Sequence, residues 1–162
     1  MKTALTLALA VALLFPVSAQ AQRAPTITVM TRNVFLGADL SPAINAQTIP
    51  QAIDGAGTVW NELQATKFAE RAVPLAREIR ASKADLVGLQ EVALWRKQTP
   101  SDGGAPPINP GASPATEVEI DFLAELRKQL GNSYRVVVVQ EEFDAELQVD
   151  ADGNDATGNA AL

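Results

Sequence analysis

Apolar positions in this chain fall into short runs separated by proline- and glycine-bearing stretches, and their spacing changes along the chain. Thr26-Ile27-Thr28-Val29-Met30-Thr31-Arg32-Asn33-Val34 is strand-like and ends on a polar side chain, Asn33, before a turn at Leu36-Gly37-Ala38-Asp39. Ser41 to Gly57, with Pro42, Pro50, Gly55 and Gly57, reads as a loop holding at most a short helical turn. From Thr58 the pattern is helical, and Trp60, Leu63, Phe68, Ala72, Leu75 and Ile79 fall close to one face. Pro74 lacks a backbone donor and predicts a kink or a break within it. Ala84-Asp85-Leu86-Val87-Gly88-Leu89-Gln90-Glu91-Val92 is apolar without alternation and ends on a polar pair. It predicts a strand buried on both faces whose last residues emerge at the sheet edge.

Gln98 to Thr116 carries five prolines and three glycines, too many for any regular element, and predicts a long loop. Thr116-Glu117-Val118-Glu119 has capping-box spacing, which predicts a helix over Glu117 to Leu130 that packs Val118, Phe122, Leu123, Leu126 and Leu130 and stops at Gly131. Tyr134 to Gln140, centred on Val136-Val137-Val138-Val139, predicts a third strand. From about Asp144 the chain turns acidic and small, as a flexible tail does. Alternating strands and helices indicate an α/β (α+β) class.

The N-terminal residues change the picture of where the chain works. Met1-Lys2-Thr3, an apolar run from Ala4 to Phe15, and small residues at Ala19 and Ala21 describe a secretory signal peptide over residues 1–21. The apolar run is too short for a stable membrane anchor, so a secreted or periplasmic protein is expected. There is no cysteine, which excludes disulfides and thiolate metal sites. The net charge of −6 argues against binding polyanions through a basic patch. A bound divalent metal supplies positive charge locally, so a phosphodiester substrate stays open.

Glu91, at the end of an apolar strand, is the strongest candidate for chemistry, since one strand-end carboxylate with several waters suits magnesium. Asn33 has an amide able to orient a phosphate oxygen or a metal-bound water. Asp150-Ala151-Asp152-Gly153-Asn154-Asp155 has the look of a calcium loop, but Asp155 sits where the turn glycine belongs and Ala161 replaces the final glutamate. Arg71, Arg77 and Arg80 are interleaved with Glu70 and Glu78, which predicts a solvated helix face with intrahelical ion pairs.

From Ile27 to Glu142 the order is a first strand ending in Asn33, a helix, the run Asp85 to Val92 containing Gln90-Glu91, a helix and a strand. In this the chain resembles the endonuclease/exonuclease/phosphatase superfamily, the DNase I-like metal-dependent phosphoesterases, although Arg32 stands where that family usually has an aromatic. The resemblance implies a four-layer α/β/β/α sandwich, of which residues 22–162 make only the first half. It implies Glu91 and Asn33 at a divalent metal, most often Mg2+, in phosphate-ester hydrolysis. Nucleic acid, a phospholipid head group or a phosphorylated small molecule are the implied substrates. The family's Gly-Asp-x-Asn and Ser-Asp-His segments do not occur here, and the chain has no histidine. A missing C-terminal half, an uncovered sheet face and a chain inactive by itself are therefore expected. The alternative is a non-catalytic secreted binding module derived from the same fold.

Overall fold

The computed structural model describes residues 25–103, 113–149 and, for the backbone alone, 158–161. The expected leader and the acidic run at 150–155 lie outside these residues. Strand β1 (Val29–Asn33) lies parallel to β2 (Leu86–Gln90), with Asn33 opposite Gln90. Between them come helices α1 (Ser41–Ile44), α2 (Ile49–Thr66) and α3 (Phe68–Ser82). Then follow β3 (Leu94–Gln98), β4 (Glu117–Asp121), α4 (Phe122–Leu130), β5 (Glu146–Val149) and β6 (Gly158–Ala161). The second sheet is antiparallel, in the order β4-β3-β6-β5. The class is thus mixed α/β with small sheets, compatible with α+β.

The core forms where α3 and α4 meet. Ala72, Leu75, Ala76 and Ile79 of α3 are buried together with Leu126 of α4. The rings of Phe68 and Phe122 stack at 3.6 Å between centroids, 6° from parallel. Trp95 of β3 joins this core edge-on to Trp60 of α2, centroids 6.4 Å apart. Met30, Val87 and Leu89 close it from the parallel sheet.

Several elements differ from the sequence reading. The Ser41–Gly57 stretch is helical except at residues 45–48, because Pro42 and Pro50 sit in the first turns of α1 and α2, where a proline loses no intrahelical bond. Gly55 lets the two helices touch: a Cβ there would stand 2.3 Å from the Pro42 carbonyl oxygen. Helix α3 runs through Pro74 unbroken. Pro74 is exposed, as is Glu70, whose carbonyl it leaves without its intrahelical donor, while the buried stripe holds the helix in place. The break comes at Lys67, whose left-handed backbone (φ 46°) separates α2 from α3.

The helix expected from Glu117 starts only at Phe122. Residues Glu117–Asp121 pair instead with β3, and Asp121, not Thr116, caps α4 by accepting from Ala124 N–H at 2.9 Å. Strand β2 is buried on one face only, because the core covers just one side of its sheet; Val29 and Leu86 on the other side are 66 % and 55 % exposed. The Tyr134–Gln140 stretch is no strand. The Tyr134 hydroxyl donates to Ala84 O at 2.8 Å, and the valines beyond it lie exposed with no ladder partner among the described residues. Strand propensity describes fit to a pleated, half-buried surface, and these valines meet none. The acidic segment after Asp144 contributes β5 and β6, and Glu146 is buried, accepting from Ala115 N–H at 2.7 Å.

Two stability predictions follow from these elements. Lys83 ends α3 with a left-handed backbone (φ 52°), so Lys83→Gly is expected to raise stability by about 0.5–1 kcal/mol in urea unfolding. An unchanged or lower midpoint would show that the end of α3 is unstrained. On the hairpin, Lys97 bridges Glu119 at 2.8 Å and Glu117 at 3.3 Å. The Lys97 hydrogen bond holds the Glu119 carboxyl below its ordinary 4.5, against the opposing effect of burial. The stabilisation is therefore complete above pH 4.5 and is lost as pH falls through the lowered folded-state value. Glu119→Gln should flatten the acid limb of the melting temperature against pH, and a limb as steep as in wild type would remove Glu119 from it.

Candidate functional site at the ends of the parallel strands

Parallel pairing carries β1 and β2 in the same direction, so both present their C-terminal ends at one sheet edge, where open α/β sheets gather ligand-binding groups. The ladder continues one step past β1, with Val34 N–H donating to Gln90 O at 3.0 Å. Asn33 and Glu91 are thereby brought together. Asn33 Nδ2 donates to Glu91 Oε1 at 2.5 Å, and Leu36 N–H donates to Glu91 Oε2 at 3.1 Å. The other end of the Asn33 amide, Oδ1, accepts from Phe35 N–H at 2.7 Å, a local Asx-type turn. Both side chains belong to exposed residues.

Two residues here hold left-handed backbones without being glycine: Phe35 at φ 59° and Glu91 at φ 57°. Such conformations cost of order 1–3 kcal/mol and persist only where surrounding contacts impose them. At Glu91 the contacts are the two hydrogen bonds to its carboxylate. At Phe35 they come from both sides of the turn. Arg71 Nη2 of α3 donates to Val34 O at 2.5 Å, and Trp95 Nε1 of β3 donates to Leu36 O at 2.7 Å. Gly37 then turns the chain at φ 116°, with no room for a side chain: a Cβ would stand 2.6 Å from Leu63 Cδ1 and 3.2 Å from Phe122 Cζ. Asp39 fastens the turn to α2 through its N–H on Glu62 Oε2 at 3.1 Å. The Ser41 hydroxyl and N–H hold the Asp39 carboxyl below the usual carboxylate range.

The donor set suits a hard divalent cation that keeps most of its water. Each Glu91 oxygen accepts one hydrogen bond and has a second lone pair, and magnesium is commonly held by one or two carboxylates plus waters and substrate oxygens. Asn33 gives its nitrogen to Glu91 and its oxygen to Phe35, so its part in this geometry is to aim the carboxylate. Among the described residues no group of three or more carboxylates gathers around a common point. A shallow groove of about 340 Å³ lies elsewhere, lined by Lys97, Gln98, Thr99, Ser113, Pro114, Thr116 and Glu117.

Three contributors have no signature in the sequence. The Phe35 and Leu36 amides act through the backbone, and only the following Gly37 hints at the turn that aims them. Arg71 is the third. Instead of an intrahelical pair with Glu70 it turns inward, while Glu70 pairs with Lys67 and Glu78 with Arg32. Arg80 donates to Gln129 O at 2.7 Å, which ties α3 to α4.

Comparison of the chain with family models, with curated proteins and with solved structures finds no match. None of the helices among the described residues is long and apolar enough to cross a membrane.

The packing around Gly37 predicts a large cost for adding a methyl group. Gly37→Ala should destabilise by about 3 kcal/mol, combining backbone strain with overpacking against Leu63. Urea unfolding measures it, and a loss below about 1 kcal/mol would show that the turn yields without strain.

Proposed function

We propose that this chain carries the metal-holding part of an exported phosphoesterase site. Glu91 is the protein ligand of a divalent cation, magnesium by preference, and Asn33 fixes the carboxylate. The observation that carries the reading is the joint itself: a strained, exposed carboxylate at the end of a parallel strand, aimed by a side-chain amide and a backbone N–H. A strained residue at a sheet edge where ligands bind is a pointer to function.

A bound cation would offset charge on the transferring phosphate, which the net charge of −6 does not do. Around it, Glu91 supplies the anchoring charge, Asn33 keeps that charge pointed, and the Phe35–Leu36 turn keeps Asn33 and Glu91 in register. With no histidine in the chain, none of these 162 residues supplies an imidazole base. The substrate is a phosphate ester of nucleic acid, a phospholipid head group or a small molecule. The uncovered face bearing Val29 and Leu86 suits a second layer, as in an α/β/β/α sandwich. The same face, together with the missing histidine, favours the second reading, a secreted binding module without catalysis.

Manganese titration followed by NMR separates the readings on the chain as it stands. Mn2+ is expected to broaden the amide signals of Phe35, Leu36, Gln90 and Glu91 first, and Glu91→Gln should abolish that pattern while leaving the other amide shifts in place. Broadening centred elsewhere, including the acidic run at 150–155, would remove Glu91 as the ligand.

A further inference from the structure

We infer that Arg71 is a positioning residue for the Asn33–Glu91 site, acting through the Val34–Leu36 turn, on the reading that Glu91 holds the cation. Arg71 lies on α3 and touches the turn in two ways. Its Nη2 donates to Val34 O at 2.5 Å, and its guanidinium carbon lies 5.4 Å from the centre of the Phe35 ring. The same carbon lies 5.3 Å from the centre of the Phe68 ring, which is stacked on Phe122 in the core. One planar cation thus links the rigid α3–α4 core to the carbonyl and to the ring that bracket the strained Phe35 backbone. The N–H groups of Phe35 and Leu36 are the donors that set the Asn33 amide and the second Glu91 oxygen.

Arg71 occupies this place at a cost. Its Nη1 is buried without a hydrogen-bond partner among the described residues, and an unpaired buried donor is destabilising. Burial, with the charge of Arg32 nearby, also pushes the guanidinium pKa down. A helix needing only an apolar contact here would be better served by leucine or methionine. The guanidinium does what they cannot: it donates to Val34 O and faces an aromatic ring with the same planar group. Lysine keeps the charge and loses the planar fork, which makes Arg71→Lys the informative change.

Mn2+ alone serves as the probe, on the 162-residue chain. Arg71→Lys is expected to weaken Mn2+ binding about tenfold, as loss of a group supporting a metal ligand does. It should also shift the Phe35 and Leu36 amide resonances and the Asn33 side-chain amide in metal-free protein. Phe35→Leu, which removes the ring but keeps Arg71, should weaken binding about threefold. Ile79→Val, a core change away from the turn, should lower the melting temperature and leave Mn2+ affinity unchanged. Wild-type affinity and unshifted metal-free resonances in Arg71→Lys would overturn the proposal, and so would equal loss of affinity in Ile79→Val. If the wild-type chain binds no Mn2+ at Glu91, the cation reading fails by itself, and the metal-free shifts still decide whether Arg71 sets the turn.

Discussion

The parallel register of β1 on β2 is the constraint on which the rest of the site depends. Asn33 stands opposite Gln90, so the residues one step further along, Val34 and Glu91, leave the sheet together at the same end. Slipping the register by one residue would move every side chain of β1 to the other face, sending Met30 out of the core and Asn33 away from Glu91. Burial of Met30, Val87 and Leu89 against the helices therefore fixes where the polar residues at the strand ends meet.

Past the sheet, the turn from Asn33 to Gly37 is held from both sides of the molecule. Arg71 reaches it from α3, and Trp95 reaches it from β3, each by a hydrogen bond to a backbone carbonyl. The two sheets share no strand, yet Trp95 and the Phe122 N–H to Ala93 O bond at 3.0 Å bind the antiparallel sheet to the same core. Left-handed backbones at Phe35 and Glu91 concentrate strain where the exposed carboxylate stands. Local backbone strain of this kind persists only where the surrounding structure over-determines it.

Asn33 and Glu91 were legible in the sequence because each ends a strand-like run, and a polar residue at the end of a strand has only the sheet edge to occupy. Elements whose local cues pointed both ways were less legible. Pro42, Pro50, Gly55 and Gly57 look like loop residues until α1 lies on α2, where prolines fit first turns and glycines permit contact. Glu117 to Asp121 carries helix-start spacing, but Lys97 on β3 gathers Glu117 and Glu119 onto one face of a strand. Val136 to Val139 shows the reverse, with high strand propensity and no strand to pair with among the described residues.

By itself the sequence determined the mixed class, the helical stripe from Trp60 to Ile79, the end positions of Asn33 and Glu91, and the absence of histidine and cysteine. These are properties of local period and composition, which depend on neighbours within a turn or two of chain. Tertiary structure alone decided that Arg71 faces inward, that the Phe35 and Leu36 amides aim the two site side chains, and that Gly37 must lack a Cβ. Each of those rests on groups far apart in sequence competing for one small space, and no short-range pattern encodes which of them will fill it.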